Sequence, residues 1–176
     1  MRTDRARVQQ VLVELVNTAE ADQLRGLDDL TRLTQRWIVT EAAPPTEADV
    51  VQLRRFRARL RSLFAAEDQS GRIDVINDVL ARADIRPRLA EHDGLGLHIH
   101  WFPRHASVAD HLIADCAMEL ALMVQEGEDD RLKTCAAPNC MSVFIDRSKN
   151  RSRLYCDSQA CGNRLHAAAY RARQAT

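Results

Sequence analysis

The chain has 176 residues, of which 45% are hydrophobic, and its 25 basic residues balance its 25 acidic residues. This length suits one domain with a small appendage, and it is sufficient to bury a hydrophobic core. Asp115 and Glu119 interrupt the most apolar run, so no segment reaches the roughly 18 apolar residues that a membrane span requires, and we predict no membrane partner. Residues 1–5 are polar and lack the apolar segment of a signal peptide, which predicts a cytoplasmic location.

Amphipathic helices account for most of the first 130 residues. Apolar spacing predicts a first helix over residues 5–21 and a second that follows Gly26 and ends before Pro44. A third helix begins after Thr46, with Asp49 placed to complete a capping box. We expect Gly71 to end the third segment, and we predict a fourth helix over residues 73–83. The fifth begins after Ser107, which is a good N-cap residue, and contains Cys116 as a small core residue.

A change of period between residues 88 and 102 predicts a β-hairpin. Leu97 and Ile99 alternate with His98 and His100, and Asp93-Gly94 is a turn signal just before them. His98 and His100 would lie on one strand face, so a metal-binding pair is one interpretation. Histidines without a metal role are favoured, because no third ligand follows at a recognisable spacing.

Four of the five cysteines form two close pairs near the C-terminus. Cys135 and Cys140 are a C-x4-C pair, Cys156 and Cys161 are another, and fifteen residues separate the pairs. Two such pairs supply the four thiolates of a tetrahedral, structural zinc site, so we predict one Zn²⁺ ion. The alternatives are two disulfides or four unrelated buried thiols. The polar N-terminus argues against the oxidising compartment that disulfides require.

The residues around the four cysteines predict a treble-clef-like finger. A short β-prone segment, residues 141–146, and Leu154-Tyr155 predict a hairpin between the two cysteine pairs. A helix is expected from Asp157 or Ser158 to Gln174. The predicted fold is therefore α+β, with a mainly helical domain over residues 1–130 that contains a small hairpin, followed by a four-cysteine zinc finger over residues 131–176. A short acidic junction, residues 127–130, predicts that the finger is held close to the helical domain.

The charge differs between these two parts. Residues 131–176 contain nine Lys or Arg and two Asp or Glu, whereas residues 1–130 contain sixteen and twenty-three. This asymmetry favours a basic module that faces a polyanion, attached to an acidic domain. An ordinary solvated basic tail explains the charge alone equally well.

The residues Cys161-Gly162-Asn163-Arg164, together with Arg151-Ser152-Arg153, resemble the CGNR zinc finger. Residues 12–18 (LVELVNT) and 30–37 (LTRLTQRW) resemble the ABATE domain, which precedes that finger in bacterial stress-induced transcription regulators. The resemblance implies a regulator that binds DNA through its finger. Asn17 lies in the first ABATE-like segment, and we interpret it as a satisfied structural amide rather than a polar group of a pocket.

The leading hypothesis is a DNA-binding transcriptional regulator with an N-terminal sensory or dimerisation domain. Phosphate contacts are expected from the loop between the cysteine pairs and further contacts from the following helix, where some side chains could reach base edges. The predicted contact residues are Arg147, Lys149, Arg151, Arg153, Arg164, His166, Tyr170, Arg171 and Arg173. Asn163 and Arg164 have an alternative interpretation as purely structural groups. Expected partners are double-stranded DNA, a second copy of the chain and a small-molecule effector.

Two other classes of function remain open on the sequence. The finger could be a zinc-dependent protein–protein interaction module, or it could be a thiol redox switch that loses zinc on oxidation. An enzyme is not expected, because a site closed by four cysteines has no open coordination position for water. The sequence also contains no glycine-rich phosphate loop or nucleophile elbow.

Overall fold

The computed structural model describes residues 2–37, 39, 41–91, 96–156 and 161, and it has the predicted α+β architecture. The chain first forms four helices, then a hairpin, a fifth helix, a short 3-10 helix and a second hairpin. In order, these elements are α1 (Arg2–Asn17), α2 (Leu27–Trp37), α3 (Glu47–Ala65), α4 (Gln69–Arg82), β1 (Arg88–Glu91), β2 (Leu97–His100), α5 (Val108–Gln125), the 3-10 helix Asp129–Arg131, β3 (Leu132–Thr134) and β4 (Val143–Ile145). Among these residues, no helix is both long enough and apolar enough to cross a membrane.

The core lies between α1, α3 and α5, with α2 and α4 packed beside α3. Its fully buried side chains include Leu12 and Leu15 of α1, Leu53 and Leu60 of α3, and Leu120 of α5. The full set of buried apolar residues in each of these helices recurs every three or four positions, so each helix presents one apolar face to its neighbours. The predicted helical domain is thus explained by its hydrophobic periodicity.

Local capping residues fix where α3 and α5 begin. Thr46 and Asp49 form the predicted capping box, in which each side chain accepts a hydrogen bond from the other residue's backbone amide. The Ser107 hydroxyl accepts from the amide of Asp110 at 3.0 Å at the start of α5. Both predicted starts are confirmed, because the side chains that satisfy the first helical amides are adjacent in sequence.

Two predicted helix boundaries were wrong. Helix α1 ends at Asn17 and not near Ala21, because the Thr18 hydroxyl bonds to the carbonyl of Leu15 and the chain then turns. Gly71 lies inside α4 and does not end a segment. Asp68 caps this helix by accepting from the Gly71 amide at 2.8 Å, and a Cβ at Gly71 would lie only 3.2 Å from that carboxylate. The glycine therefore lets the cap approach closely.

The first hairpin was predicted correctly. Strands β1 and β2 are antiparallel, with Arg88 opposite His100 and Ala90 opposite His98. One face carries the buried His98 and His100, and the other carries Leu89, Leu97 and Ile99, which are exposed. The predicted turn residues Asp93 and Gly94 lie outside the described residues.

The second hairpin has a different partner strand from the one predicted. Strand β4 pairs with β3, which precedes Cys135, so that Leu132 lies opposite Ile145 and Thr134 opposite Val143. Leu154-Tyr155, the predicted partner, is not a strand; it contributes the Leu154 carbonyl, which accepts from Ala136. The prediction failed because β3 is only three residues long and shows no alternation that marks it as a strand.

The second hairpin packs directly on the helical domain. Leu132, Val143 and Ile145 belong to the same hydrophobic cluster as the core residues of α1, α3 and α5. The Asn17 side chain donates to the Val143 carbonyl at 3.0 Å and accepts from the Val143 amide at 2.8 Å. Asn17 is therefore the structural amide expected from the sequence, and it holds β4 against α1.

Candidate metal centre and nucleic-acid interface

The turn that follows β3 brings the first two cysteines together. The Cys135 amide continues the β3–β4 ladder by donating to the Ser142 carbonyl at 2.8 Å. The chain then turns through Asn139, whose φ of 62° is a left-handed conformation that asparagine tolerates. The Cys140 amide closes this turn on the Ala137 carbonyl at 3.1 Å.

The second pair of cysteines completes the cluster. The Cys156 amide donates to the sulfur of Cys135 at 3.4 Å, and the sulfurs of Cys140 and Cys156 lie 4.0 Å apart. The sulfurs of Cys135, Cys140, Cys156 and Cys161 all lie within 4.8 Å of one another. Zn–S bonds of about 2.3 Å place the sulfurs of a tetrahedral site about 3.8 Å apart, so four thiolates can close on one ion with small adjustments.

The arrangement of the cysteines is that of a metal site. The five cysteines are free thiols, and four of them converge on one point. Burial raises the pKa of the Cys135 thiol to about 11, although the amides of Cys156 and Ala137 oppose the shift. Because zinc binds the thiolate, metal binding must release this proton. Among the described residues, no other group of three or more metal-ligand side chains has this geometry.

The fifth cysteine has the predicted structural role. Cys116 is fully buried in α5, within the main core. Burial raises the pKa of its thiol well above the usual range, and the neighbouring carboxylates of Asp115 and Glu119 act in the same direction. A buried thiol of this kind is unreactive, and Cys116 is the small core residue that the sequence predicts.

Asp146 organises the loop between the two cysteine pairs. Its fully buried carboxylate accepts from Lys133 Nζ and from the amides of Ser148 and Arg153, each at 2.8 Å. Burial by itself raises the pKa of this carboxyl, but these hydrogen bonds and the Lys133 ammonium outweigh burial and hold the pKa well below its usual range. The loop is therefore fixed from inside by one ionised carboxylate.

The four predicted DNA-contact residues of this loop have different surroundings. The guanidinium of Arg151 lies 2.7 Å from Asp130 and 3.3 Å from Glu128. Arg153 lies over the ring of Phe144, and Arg147 is exposed but donates to the carbonyl of Ala6 at 3.2 Å. Lys149 is exposed at the tip of the loop. Arg147, Arg151 and Arg153 thus already make contacts inside the protein.

The other five predicted contact residues lie outside the described part of the chain. They are Arg164, His166, Tyr170, Arg171 and Arg173. Asn163 also lies outside the described residues. Of the helix predicted after Cys156, only Cys161 is described, and it is helical. Their assignment stays a prediction.

A family model for the ABATE domain, described as "Putative stress-induced transcription regulator", matches residues 9–127, which is more than half of the chain. The chain belongs to the ABATE family. A second model, the CGNR zinc finger, matches residues 131–174 and includes all four cysteines. The ABATE and CGNR matches occur in the order that the resemblance implied. Because the four sulfurs are close together in a zinc-finger family, the cluster is a single structural zinc site. No curated protein matches the chain.

Neither matching family is a class of enzyme. The site residues agree with this, because the four sulfurs form a closed ligand set and leave no ligand position for a reacting water. Sequence reasoning missed one other feature of this ABATE protein. Side chains from α1, β2 and α5 line a cavity, and no local motif signals it because these elements are far apart in sequence.

Proposed function

We propose that this ABATE-family protein is a cytoplasmic transcriptional regulator that binds double-stranded DNA through its zinc-finger region. Residues 1–130 would sense a signal, form a homodimer, or do both. The observation that carries the proposal is a four-cysteine zinc site in the basic part of the chain, attached to an acidic helical domain of a regulator family.

Some basic side chains of the finger already have partners inside the protein, and this limits which of them are available to DNA. Lys133 is bound to Asp146, and Arg151 is bound to Glu128 and Asp130. These side chains would have to exchange an existing partner for a phosphate, and such an exchange gains little. We therefore propose that Lys149 and the basic residues that follow Cys161 make the dominant phosphate contacts.

Fluorescence anisotropy on pooled genomic DNA fragments, measured across a salt series with zinc-loaded protein, tests this proposal. With roughly four to six phosphate contacts, the affinity should fall about a hundredfold to a thousandfold between 50 and 200 mM salt. The double variant Lys149→Ala/Arg171→Ala should bind more weakly at every salt concentration, and its salt slope should be lower by about two.

The double variant Arg55→Ala/Arg104→Ala is the matched control. It also removes two positive charges, but from exposed positions of the helical domain. Its salt slope should equal that of the unmodified protein. Absence of binding at low salt, from protein shown to hold one zinc ion, would contradict the proposal, and so would equal loss in both double variants.

A protein–protein interaction module is a second candidate function. Met141 and Leu154 are 60% and 58% exposed, and each lies within two residues of a zinc ligand. Exposed apolar side chains beside a structural zinc site are suited to contact another protein. The variant Met141→Ser/Leu154→Ser should leave DNA binding unchanged if the DNA proposal is correct.

A further inference from the structure

A cavity of about 380 Å³ lies between the start of α1, the first hairpin and α5. Its volume is within the range of small-molecule sites. The apolar part of its lining consists of Val8, Leu89, Leu97, Ile99, Trp101, Phe102 and Leu122. The polar part consists of Arg5, Arg7, His98, His100, His111, Asp115, Glu119 and Glu126. A concave apolar surface with polar groups converging on it is typical of a ligand site.

The hairpin supplies the side chains that a ligand would cover. Leu89, Leu97 and Ile99 are 65%, 69% and 46% exposed, although they line the cavity. These three side chains lie on one face of a two-stranded sheet, so they form a contiguous apolar surface at the cavity. Covering them by an apolar molecule is favourable in proportion to the area removed from water.

The two hairpin histidines are mutually satisfied. His98 Nδ1 lies 2.8 Å from the Gly96 carbonyl, which can only accept, so Nδ1 carries the proton. His98 Nε2 is then an acceptor, and His100 Nε2 donates to it at 2.9 Å. His100 Nδ1 in turn faces the guanidinium of Arg88 at 3.4 Å. This chain of hydrogen bonds fixes both imidazole rings as a rigid part of the cavity wall.

His111 is different, because one of its ring nitrogens has no partner. Its Nε2 lies 3.2 Å from Asp115, and its ring stacks on Phe102 at 3.7 Å between centroids. The buried Nδ1 has no hydrogen-bond partner in the described part of the chain. In a neutral imidazole whose Nε2–H donates to the carboxylate, Nδ1 is an acceptor. A ligand that carries a hydroxyl or amine donor would satisfy this acceptor once the side chains that cover it shift slightly.

The charges around the cavity select against anions. Arg5 donates to Glu119 at 2.8 Å and to Glu126 at 2.7 Å, so its positive charge is already neutralised by two carboxylates. Asp115 adds a third carboxylate to the lining. The three acids outnumber Arg5 and Arg7, so the lining carries a net negative charge when its histidines are neutral. An anionic ligand would meet like charge in a partly desolvated site.

We propose that this cavity binds a compact, largely apolar molecule that is neutral or cationic and carries a hydrogen-bond donor. This inference deepens the proposed function, on which it rests for its biological meaning, because it places an effector site in the ABATE domain. The binding itself requires no DNA and is measured without it, so failure of either proposal leaves the other testable.

Nile Red, a neutral apolar fluorophore, is the probe for the cavity. We expect it to bind the full-length, zinc-loaded protein with one-to-one stoichiometry and a blue-shifted emission. Ile99→Asp should abolish most of this binding, whereas Val51→Asp should not. Ile99 and Val51 are equally exposed at 46%, but Val51 does not line the cavity. Equal binding by the two variants, or no binding by the unmodified protein, would overturn the proposal.

Competition by four molecules of similar shape, naphthalene and three of its derivatives, tests the chemistry of the ligand. Naphthylmethanol and naphthylmethylamine should displace the dye, and naphthoate should require at least about tenfold higher concentration because it meets like charge. His111→Phe preserves the stack on Phe102 but removes the acceptor, so the advantage of the alcohol over naphthalene should disappear. Equal displacement by naphthoate would overturn the charge assignment. An undiminished advantage in His111→Phe would overturn the role of His111.

Discussion

At the scale of single residues, buried polar side chains hold this protein together at points where helices meet strands. Asn17 pairs with both backbone groups of Val143, and Asp146 accepts three hydrogen bonds inside the loop between the cysteine pairs. The residue type alone does not reveal such roles. Asn17 allowed two interpretations from the sequence, because its partner strand lies 126 residues further along the chain.

Replacing Asn17 by Ala should lower the free energy of unfolding by about 1–3 kcal/mol, because the amide and carbonyl of Val143 lose their partners. The measurement is urea unfolding of the zinc-loaded protein. Asn77→Ala, at an exposed position of α4, is the control and should change stability by less than about 0.5 kcal/mol. Similar losses in both variants would show that the Asn17 contact does not stabilise the fold.

At the scale of elements, the predictions succeeded where the signal was local. Helices α3 and α5 begin at caps that are neighbours in sequence, and the alternation of Leu97 to His100 marks β2. The prediction failed for β3, which becomes a strand only through its pairing with β4. Gly71 was misinterpreted for a different reason: its cap from Asp68 is local, but the glycine was taken as the end of a segment.

The start of α3 leads to a prediction on pH. One oxygen of the buried Asp49 carboxylate accepts from the Ala109 amide at 2.9 Å, and the other accepts from Thr46. Burial raises the pKa of Asp49, but these hydrogen bonds outweigh it and the net shift is downward. A lowered folded-state pKa means that this stabilisation is present above the unfolded value of about 4 and is lost as the pH falls below it.

Asp49→Asn should therefore destabilise the protein at pH 7, by about 1–3 kcal/mol, because the amide NH₂ would face a backbone donor. The stability difference between the two proteins should narrow as the pH falls below about 4. Urea unfolding at a series of pH values measures the difference, and loss of zinc in acid affects both proteins alike. If the stability difference between the two proteins is independent of pH, the ionised form of Asp49 does not stabilise the starts of α3 and α5.

The four-cysteine site predicts that loss of one ligand removes the zinc ion. Cys156→Ser should abolish stoichiometric zinc binding, because three thiolates do not close the coordination sphere. Cys116→Ala is the matched control: it also removes one sulfur, but from the core, and it should retain one zinc ion per chain. Zinc content after gel filtration distinguishes the two. Retention of full zinc content by Cys156→Ser would contradict the four-cysteine site.

At the scale of the whole molecule, the hydrophobic core crosses the boundary proposed between residues 130 and 131. Leu132, Val143 and Ile145 pack in the same cluster as Leu15 and Leu60. The sequence predicted a short junction and a finger held close to the helical domain, but it could not predict a shared core. Likewise, it could not predict the cavity, whose polar groups come from α1, β2 and α5.

A shared core predicts that the finger and the helical domain unfold together. In urea, zinc release detected by a chelating dye should coincide with the change in tryptophan fluorescence, because Trp37 and Trp101 both report on the helical domain. Val143→Ala should shift both transitions to lower urea by the same amount. Zinc release well before the fluorescence change would show that the finger unfolds independently.

The pairing of Asn17 with Val143 also decides how this protein meets other chains. Strand β4 has β3 on one side, and an unpaired row of backbone groups on its other side would invite another chain to add a strand. The Asn17 amide supplies one donor and one acceptor there, just as a peptide group of a neighbouring strand does. It closes that edge from within the molecule. A homodimer that paired strands at this edge would first have to displace the Asn17 side chain.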